Sequence, residues 1–219
     1  MRRGFFFAGL AAVMVLGLVL PAGAGRPAAA DRKPYTLDQN HSQINFVAEA
    51  LLISAHGSFD KFDADIQVDP ENLENSTLSF TIDAASINTR ISMRDNDLRS
   101  ARFFDVANYP QIKFVATKIA KVDDNNLLIT GDLTIRSTTK SIQVPTRIVF
   151  FREGQGRFKG EFKINRMDYG VSYNSRMNPI EDEVVVQFDF HVMQPRQQPA
   201  GGAPQGQPPA KRPPLQNGK

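Results

Sequence analysis

Apolar and polar residues alternate with a period of two along most of this chain. In "HSQINFVAEA", Ile44, Phe46, Ala48 and Ala50 share one face, and in "FDADIQVD" Phe62, Ala64, Ile66 and Val68 do the same. "STLSFTIDAASI" sets Leu78, Phe80, Ile82 and Ala84 against Thr77, Ser79, Thr81 and Asp83. The pattern returns in "QIKFVATKIAKV", in "NLLITGDLTIRS" (Leu127, Ile129, Gly131, Leu133, Ile135) and in "SIQVPTRIVFF" (Ile142, Val144, Ile148, Phe150). It closes with "GRFKGEFKINR" (Phe158, Phe162, Ile164) and "DEVVVQFDFHV" (Val184, Val186, Phe188, Phe190). Period two is the mark of a strand with one buried and one solvated face. Turn signals such as "DPEN", "DDNN" and "EGQG" separate most of these runs. About eight strands are predicted.

Alternation fails between Ile87 and Phe104. There Ile91, Leu98 and Ala101 take helix-compatible spacing, and the charged stretch "RDNDLRS" (Arg94 to Ser100) fills the rest. One short helix is predicted. Eight strands with one apolar face need a closed core, which a sandwich or a barrel provides. Long strands and short turns favour an all-β, eight-stranded antiparallel up-and-down barrel. Such a barrel is filled by its own side chains or holds one small ligand. Several inferred inward positions are small, among them Ala48, Ala64, Gly131 and Gly160. They either leave a lumen between aromatic neighbours or let those neighbours interdigitate.

The two ends do not look like folded domain. Arg2 and Arg3 precede an uncharged apolar run, Gly4 to Leu20, and small residues then offer cleavage after Ala24 or Ala30. Residues 1–30 are expected to be a secretory signal peptide that is removed on export. From Pro195 onward, seven of 25 residues are proline and apolar residues are almost absent. A disordered tail over 195–219 is expected, leaving a domain over 31–194.

This trimming reverses the meaning of the charge. The whole chain of 219 residues is +3. The leader holds three arginines and the tail four basic residues, neither with an acid, so 31–194 keeps 19 basic against 23 acidic residues, a net of −4. A nucleic-acid partner loses its main support. The absence of cysteine excludes disulfides, so the core alone must hold the domain.

Catalytic chemistry finds little footing. His41, His56 and His191 lack metal-ligand spacing, and no nucleophile elbow, Walker loop or dinucleotide fingerprint occurs. No metal and no cofactor are expected, and no catalytic residue is assigned. "RDNDLRS" admits two readings from its residue types. It is a solvated helix face with local pairs such as Asp95 with Arg99, or a lid that meets the polar end of a ligand.

Several stretches carry a resemblance to a known family. They are "YTLDQNHSQINF", "GSFDKFDADI", "GDLTIRSTTK", "NRMDYGV" and, longest of all, "IDAASINTRISMRDNDLRSARFFDVANYPQIKF" (Ile82 to Phe114). Together they resemble the YceI-like proteins, bacterial periplasmic polyisoprenoid-binding proteins with a lipocalin-like barrel. Two positions depart from that pattern: Ser137 stands where the family usually has glycine, and Asn96 or Asp97 where it has histidine.

The resemblance implies a carrier without catalysis, whose lumen holds the long chain of an isoprenoid or quinone-like lipid. It also makes a homodimer and transient contact with a membrane plausible. On strand parity the lumen is expected to be lined by Phe46, Phe62, Phe80, Ile82, Leu133, Phe150, Phe162 and Phe188, with Phe103 and Phe104 closing one end. Arg94, Asp95 and Arg99 are expected to orient the helix at the mouth or to meet a head group. The alternatives are a barrel enzyme using His41 or Asp95 as proton carrier, and a packed barrel used for protein contacts.

Overall fold

The computed structural model describes residues 31–152 and 154–195. The predicted leader, and the tail beyond Pro195, lie outside the described residues. Eleven strand segments form one antiparallel sheet: β1 (Lys33–Leu37), β2 (Gln43–Ala50), β3 (Ala55–Phe59), β4 (Phe62–Val68), β5 (Thr77–Asp83), β6 (Ile87–Asn88), β7 (Gln111–Asp123), β8 (Asn126–Ile135), β9 (Thr138–Arg152), β10 (Gln155–Asn165) and β11 (Ile180–Met193). Both β1 and β2 pair with β11, β4 and β3 pair with β1 and β2, and β5 and β6 pair with β4 and β3. Three barrel strands are thus each split into two segments by a short kink. Counted so, the sheet is the expected eight-stranded up-and-down barrel with one helix. It closes where Leu37 faces Val192 and Phe46 faces Val186.

The kinks have local causes. Between β1 and β2, the Asp38 carboxylate accepts from the Asn40 backbone N–H and pairs with Nδ1 of His41 at 2.8 Å. Between β5 and β6, Asp83 caps a 3-10 turn (Ala84–Ser86) by accepting from the Ala85 N–H. Short polar side chains that bond nearby backbone offer it an alternative to the ladder.

Two bulges change which residues face inward. In β7 the register slips between Ala116 and Lys118, so Ile119 takes an inward place beside Ile129. In β9 Val149 is the extra residue: Phe158 faces Ile148, whereas Arg157 faces Phe150.

Inside the barrel, large rings sit over glycines of neighbouring strands. Gly160 faces Phe188 and Gly57 faces Phe46 in register, and Gly131, which faces Ala116, lies two positions along the register from Phe114. A Cβ built on Gly160 would come within 2.4 Å of the Phe188 ring and of the Pro145 carbonyl oxygen. The inward glycines therefore act as seats for phenylalanine, and the space they free is filled by it.

The helix α1 (Ser92–Arg99) is shorter than the predicted span, because Ile87 and Asn88 are drawn into β6 against Phe59 and Ser58. Its one buried residue is Asp95, and Ile91 is about half exposed. Leu98 is the helix's apolar contact with the core, and polar groups make the rest of the docking. The β10–β11 connection is organised by Arg166, only 6% exposed. This guanidinium donates to the carbonyls of Val171, Tyr173, Ile180 and Glu181 and to the Asp182 carboxylate, at 2.7–3.0 Å. On the outer face, Asp189 accepts two bonds from Arg157 (2.9 and 2.8 Å), and Lys159 adds a third contact at 2.9 Å.

Three outcomes follow. Gly160→Ala should cost about 1–3 kcal/mol in urea unfolding, since the ring and a backbone oxygen must both give way. Arg166→Lys should cost about 2–4 kcal/mol, because a single ammonium cannot span four carbonyls and leaves some buried and unpaired. The bond from Arg157, with help from Lys159, holds the Asp189 carboxyl below the ordinary carboxylate range. Its contribution is present above the unfolded value of about 3.9 and is lost as pH falls through the lower folded value. Asp189→Asn should therefore cost about 1–2 kcal/mol at pH 7, and the gap to the parent chain should narrow below about pH 4 in unfolding followed by circular dichroism.

Candidate functional site

An apolar cavity of about 160 Å³ lies inside the barrel. Strand alternation builds it, since residues i and i+2 on every strand look inward. Its walls hold Phe80, Ile82, Leu133, Phe162 and Phe188, five residues named from parity. Three further aromatic residues, Phe114, Phe158 and Phe190, line it as well. Phe80 and Phe188 stack on Phe190 from either side, with ring centroids 4.6 and 4.9 Å away. The polar side chains of the wall are Ser76, Thr77 and Thr146, and no charged residue lines it among the described residues. Thr146 donates its hydroxyl to the Val144 carbonyl, so that group is already satisfied.

The cavity is not at the helix. Its outer residues, Leu73, Ser76, Thr77, Ile119 and Leu127, belong to the β4–β5 connection and the β7–β8 hairpin. This end is shaped by Asp69, whose carboxylate accepts from the backbone of Glu71 and Asn72 and from the Asn75 amide. The Asn75 bond leads in holding the Asp69 carboxyl below its usual range. The network sets the 3-10 turn Leu73–Asn75, and the Glu74 carboxylate ties it to β7 by accepting from the Lys121 N–H at 2.9 Å. Leu73 is thereby held over the cavity.

The opposite end is packed. Phe59, Ile87, Tyr169 and Val171 are buried there. Phe103 is buried against Tyr173 at 5.1 Å, and Phe104 meets Phe59 edge-on at 6.0 Å. Phe103 and Phe104, expected to close one end of the lumen, pack at the end remote from the cavity and do not line it. Phe62 and Phe46 also belong to the packed core, Phe46 against Phe59 at 5.7 Å, and neither lines the cavity. Phe150 is a correction: the bulge at Val149 turns it to the outer face beside His191, and Phe151 takes the inward place against Tyr35 and Phe158.

Arg94, Asp95 and Arg99 do not reach the cavity either. Asp95 accepts from the Thr89 N–H (2.8 Å) and hydroxyl (2.6 Å), and Arg94 bonds that hydroxyl and the Thr89 carbonyl. Arg99 donates to the carbonyls of Ala85 and Ile87. All three pin α1 to the chain before it, and no Asp95–Arg99 ion pair forms among the described residues. The ion pair of this region joins Asp97 to Arg102, whose guanidinium lies 3.9 Å from the Tyr173 ring centre. His41 is exposed and held by Asp38. Neither proton carrier proposed for an enzyme therefore touches the cavity. Among the described residues, no cluster of three His, Cys, Asp or Glu side chains could hold a metal ion, and no helix is long and apolar enough to cross a membrane.

Residues 35–192 match the family model of the YceI-like domain. Protein YceI of Escherichia coli O17:K52:H18 is 32% identical over 185 residues, which span 78% of this chain and 92% of that one. The crystal structure of Burkholderia cenocepacia BcnA superposes with a TM-score of 0.66 at 27% identity, covering 71% of this chain and 98% of the other. A polyisoprenoid binding domain from Saccharophagus degradans gives 0.61 at 19% identity over 74% of this chain and 98% of that one, a likeness of fold. With the barrel, its capping helix and a family match over nearly all of the described residues, the chain belongs to the YceI-like family.

Proposed function

We propose that this protein is a carrier that binds the apolar chain of an isoprenoid or similar long lipid inside its barrel. One observation carries the reading: the lumen wall is built from stacked phenylalanines and aliphatic side chains, with no charge among its described lining residues. Such a wall favours any chain of methyl and methylene groups, at about 0.8 kcal/mol for each buried CH₂. Its polar side chains are the hydroxyls of Ser76, Thr77 and Thr146, and no carboxylate, imidazole or amine stands among its described lining residues to act as a general acid or base, which disfavours the enzyme alternative. The neighbour described as polyisoprenoid-binding shares the fold, and the ligand class here rests on the wall itself.

Size sets a condition on the proposal. A cavity of about 160 Å³ is close to engineered cavities of roughly 150 Å³ that take one benzene molecule. A chain of many isoprene units needs more room than that. The rings on the glycine seats, Phe114 and Phe188 above all, are the filling that must swing aside. The lipid would pass the Leu73 end, where the cavity lies, and the chain would work in the periplasm after losing residues 1–30.

Organic extraction of the purified protein followed by mass spectrometry tests this. A lipid of repeating isoprene units, at about one per protein, is the expected result. Phe80→Asp should reduce retention at least tenfold, because the carboxylate would be buried unpaired. Arg99→Ala should leave retention within about twofold, since Arg99 only pins the cap. Retention that survives Phe80→Asp and vanishes with Arg99→Ala would sink the apolar-lumen reading.

A further inference from the structure

At the capped end of the barrel the β2–β3 turn exposes three aliphatic residues in a row. Leu51, Leu52 and Ile53 are 74%, 68% and 70% exposed. Single exposed apolar residues are ordinary on any surface, but a contiguous set is not. This set is held rigid. The Asn178 side chain accepts from the N–H groups of Leu52 (2.7 Å) and Ile53 (3.3 Å) and donates to the Ile53 carbonyl, and the Leu51 N–H bonds the Pro179 carbonyl. Met177, 84% exposed, sits beside that clamp. Met93, also 84% exposed, and Ile91 follow β6 at the same end, because β6 pairs with β3.

The connections at the two ends of the barrel differ in their basic residues. Those at the capped end, 51–54, 89–110, 136–137 and 166–179, hold seven arginines against four aspartates, and the adjoining start of β11 adds Glu181, Asp182 and Glu183, of which Asp182 pairs with Arg166 and Glu183 with Lys163. The connections 69–76 and 124–125 at the other end hold four acids and no base. Arg90 and Arg176 are exposed near the apolar tip. The nearby Glu49 carboxylate is engaged by the Ser54 hydroxyl.

We infer that the capped end docks on an anionic lipid surface, with Leu51, Leu52, Ile53 and Met177 inserted among the acyl chains and Arg90 and Arg176 at the head groups. A narrow apolar point with two exposed guanidinium groups, Arg90 and Arg176, beside it suits an interface that yields around it. A second protein copy would need a broader complementary surface, roughly 800 Å² on each side. Docking in this way presents the cap to the membrane and leaves the cavity-bearing end in solution. The inference rests on residues that do not line the lumen, so it stands or falls separately from the carrier reading.

The full chain contains no cysteine, so an environment-sensitive fluorophore can be attached at one introduced thiol. Leu52→Cys and Met177→Cys probe the tip, and Asn125→Cys probes the far end. With vesicles of phosphatidylglycerol and phosphatidylethanolamine, both tip labels should shift to the blue and brighten several-fold. The label at 125 should not change, even if another segment also holds the chain to the vesicle. Doxyl lipids should quench the tip labels alone. Leu51→Asp with Ile53→Asp, read from the label at 177, should weaken the response at least tenfold. Arg90→Glu with Arg176→Glu should do so by on the order of tenfold, as should neutral phosphatidylcholine vesicles. Tip labels that stay water-exposed at saturating anionic vesicle would overturn the inference. So would equal insertion into neutral vesicles, or a blue shift that grows with protein concentration in the absence of lipid, which would show that a second copy covers the tip.

Discussion

Closure of the sheet is the constraint on which the other features depend. An open antiparallel sheet leaves two rows of unpaired backbone groups, and closing the ring removes both. Here the fourteen-residue β11 does this, pairing with β10 on one side and with β1 and β2 in turn on the other. Once the ring is closed, every inward side chain shares one confined volume. The chain has no disulfide to help, so the packing of that volume and the ladder around it carry the stability.

The volume is divided along the barrel. At the helix end Phe59, Ile87, Phe103, Tyr169 and Val171 are buried in one apolar cluster. Toward the other end the rings stack and a cavity opens between them. The glycine seats mediate between these conditions. A glycine lets a ring lie close to the neighbouring strand, so bulky residues fill the tube while remaining side chains that could rotate. Inside the barrel, charged groups are confined to the ends. Asp69 shapes the β4–β5 turn over the cavity, and Asp95, Arg99 and Arg166 tie the cap to backbone carbonyls and N–H groups. The cap is thus fastened by directional bonds and the tube by apolar contact, which leaves the lumen wall free of charge.

Much of this was legible along the chain. Strand number, the up-and-down order and the single helix follow from period two, short turns and one interruption. Parity named Phe80, Ile82, Leu133, Phe162 and Phe188, all of which line the cavity. It failed at Phe150, where one extra residue, Val149, inverts the facing of the strand end. It also could not tell wall from plug: Phe46 and Phe62 face inward but at the packed level of the barrel. The importance of Arg166 left no mark beyond its place in "NRMDYGV", because its four carbonyl partners are spread over residues 171–181.

The amino-acid sequence by itself determined the class of fold and the apolar character of the interior, because period two depends only on neighbours along a strand. Tertiary structure alone decided three things. Bulges set by pairing with the next strand chose which residues of β7 and β9 turn inward. Rings on facing strands turned inward glycines from gaps into seats. The order of the connections gathered seven arginines at one end of the barrel, against no base in the connections 69–76 and 124–125 at the other, and that difference appears only when distant loops are brought to the same rim. The charged stretch "RDNDLRS" shows the same division. Its residues announced a polar element, but only the fold showed that Arg94, Asp95 and Arg99 bind the chain before the helix and leave the lumen untouched.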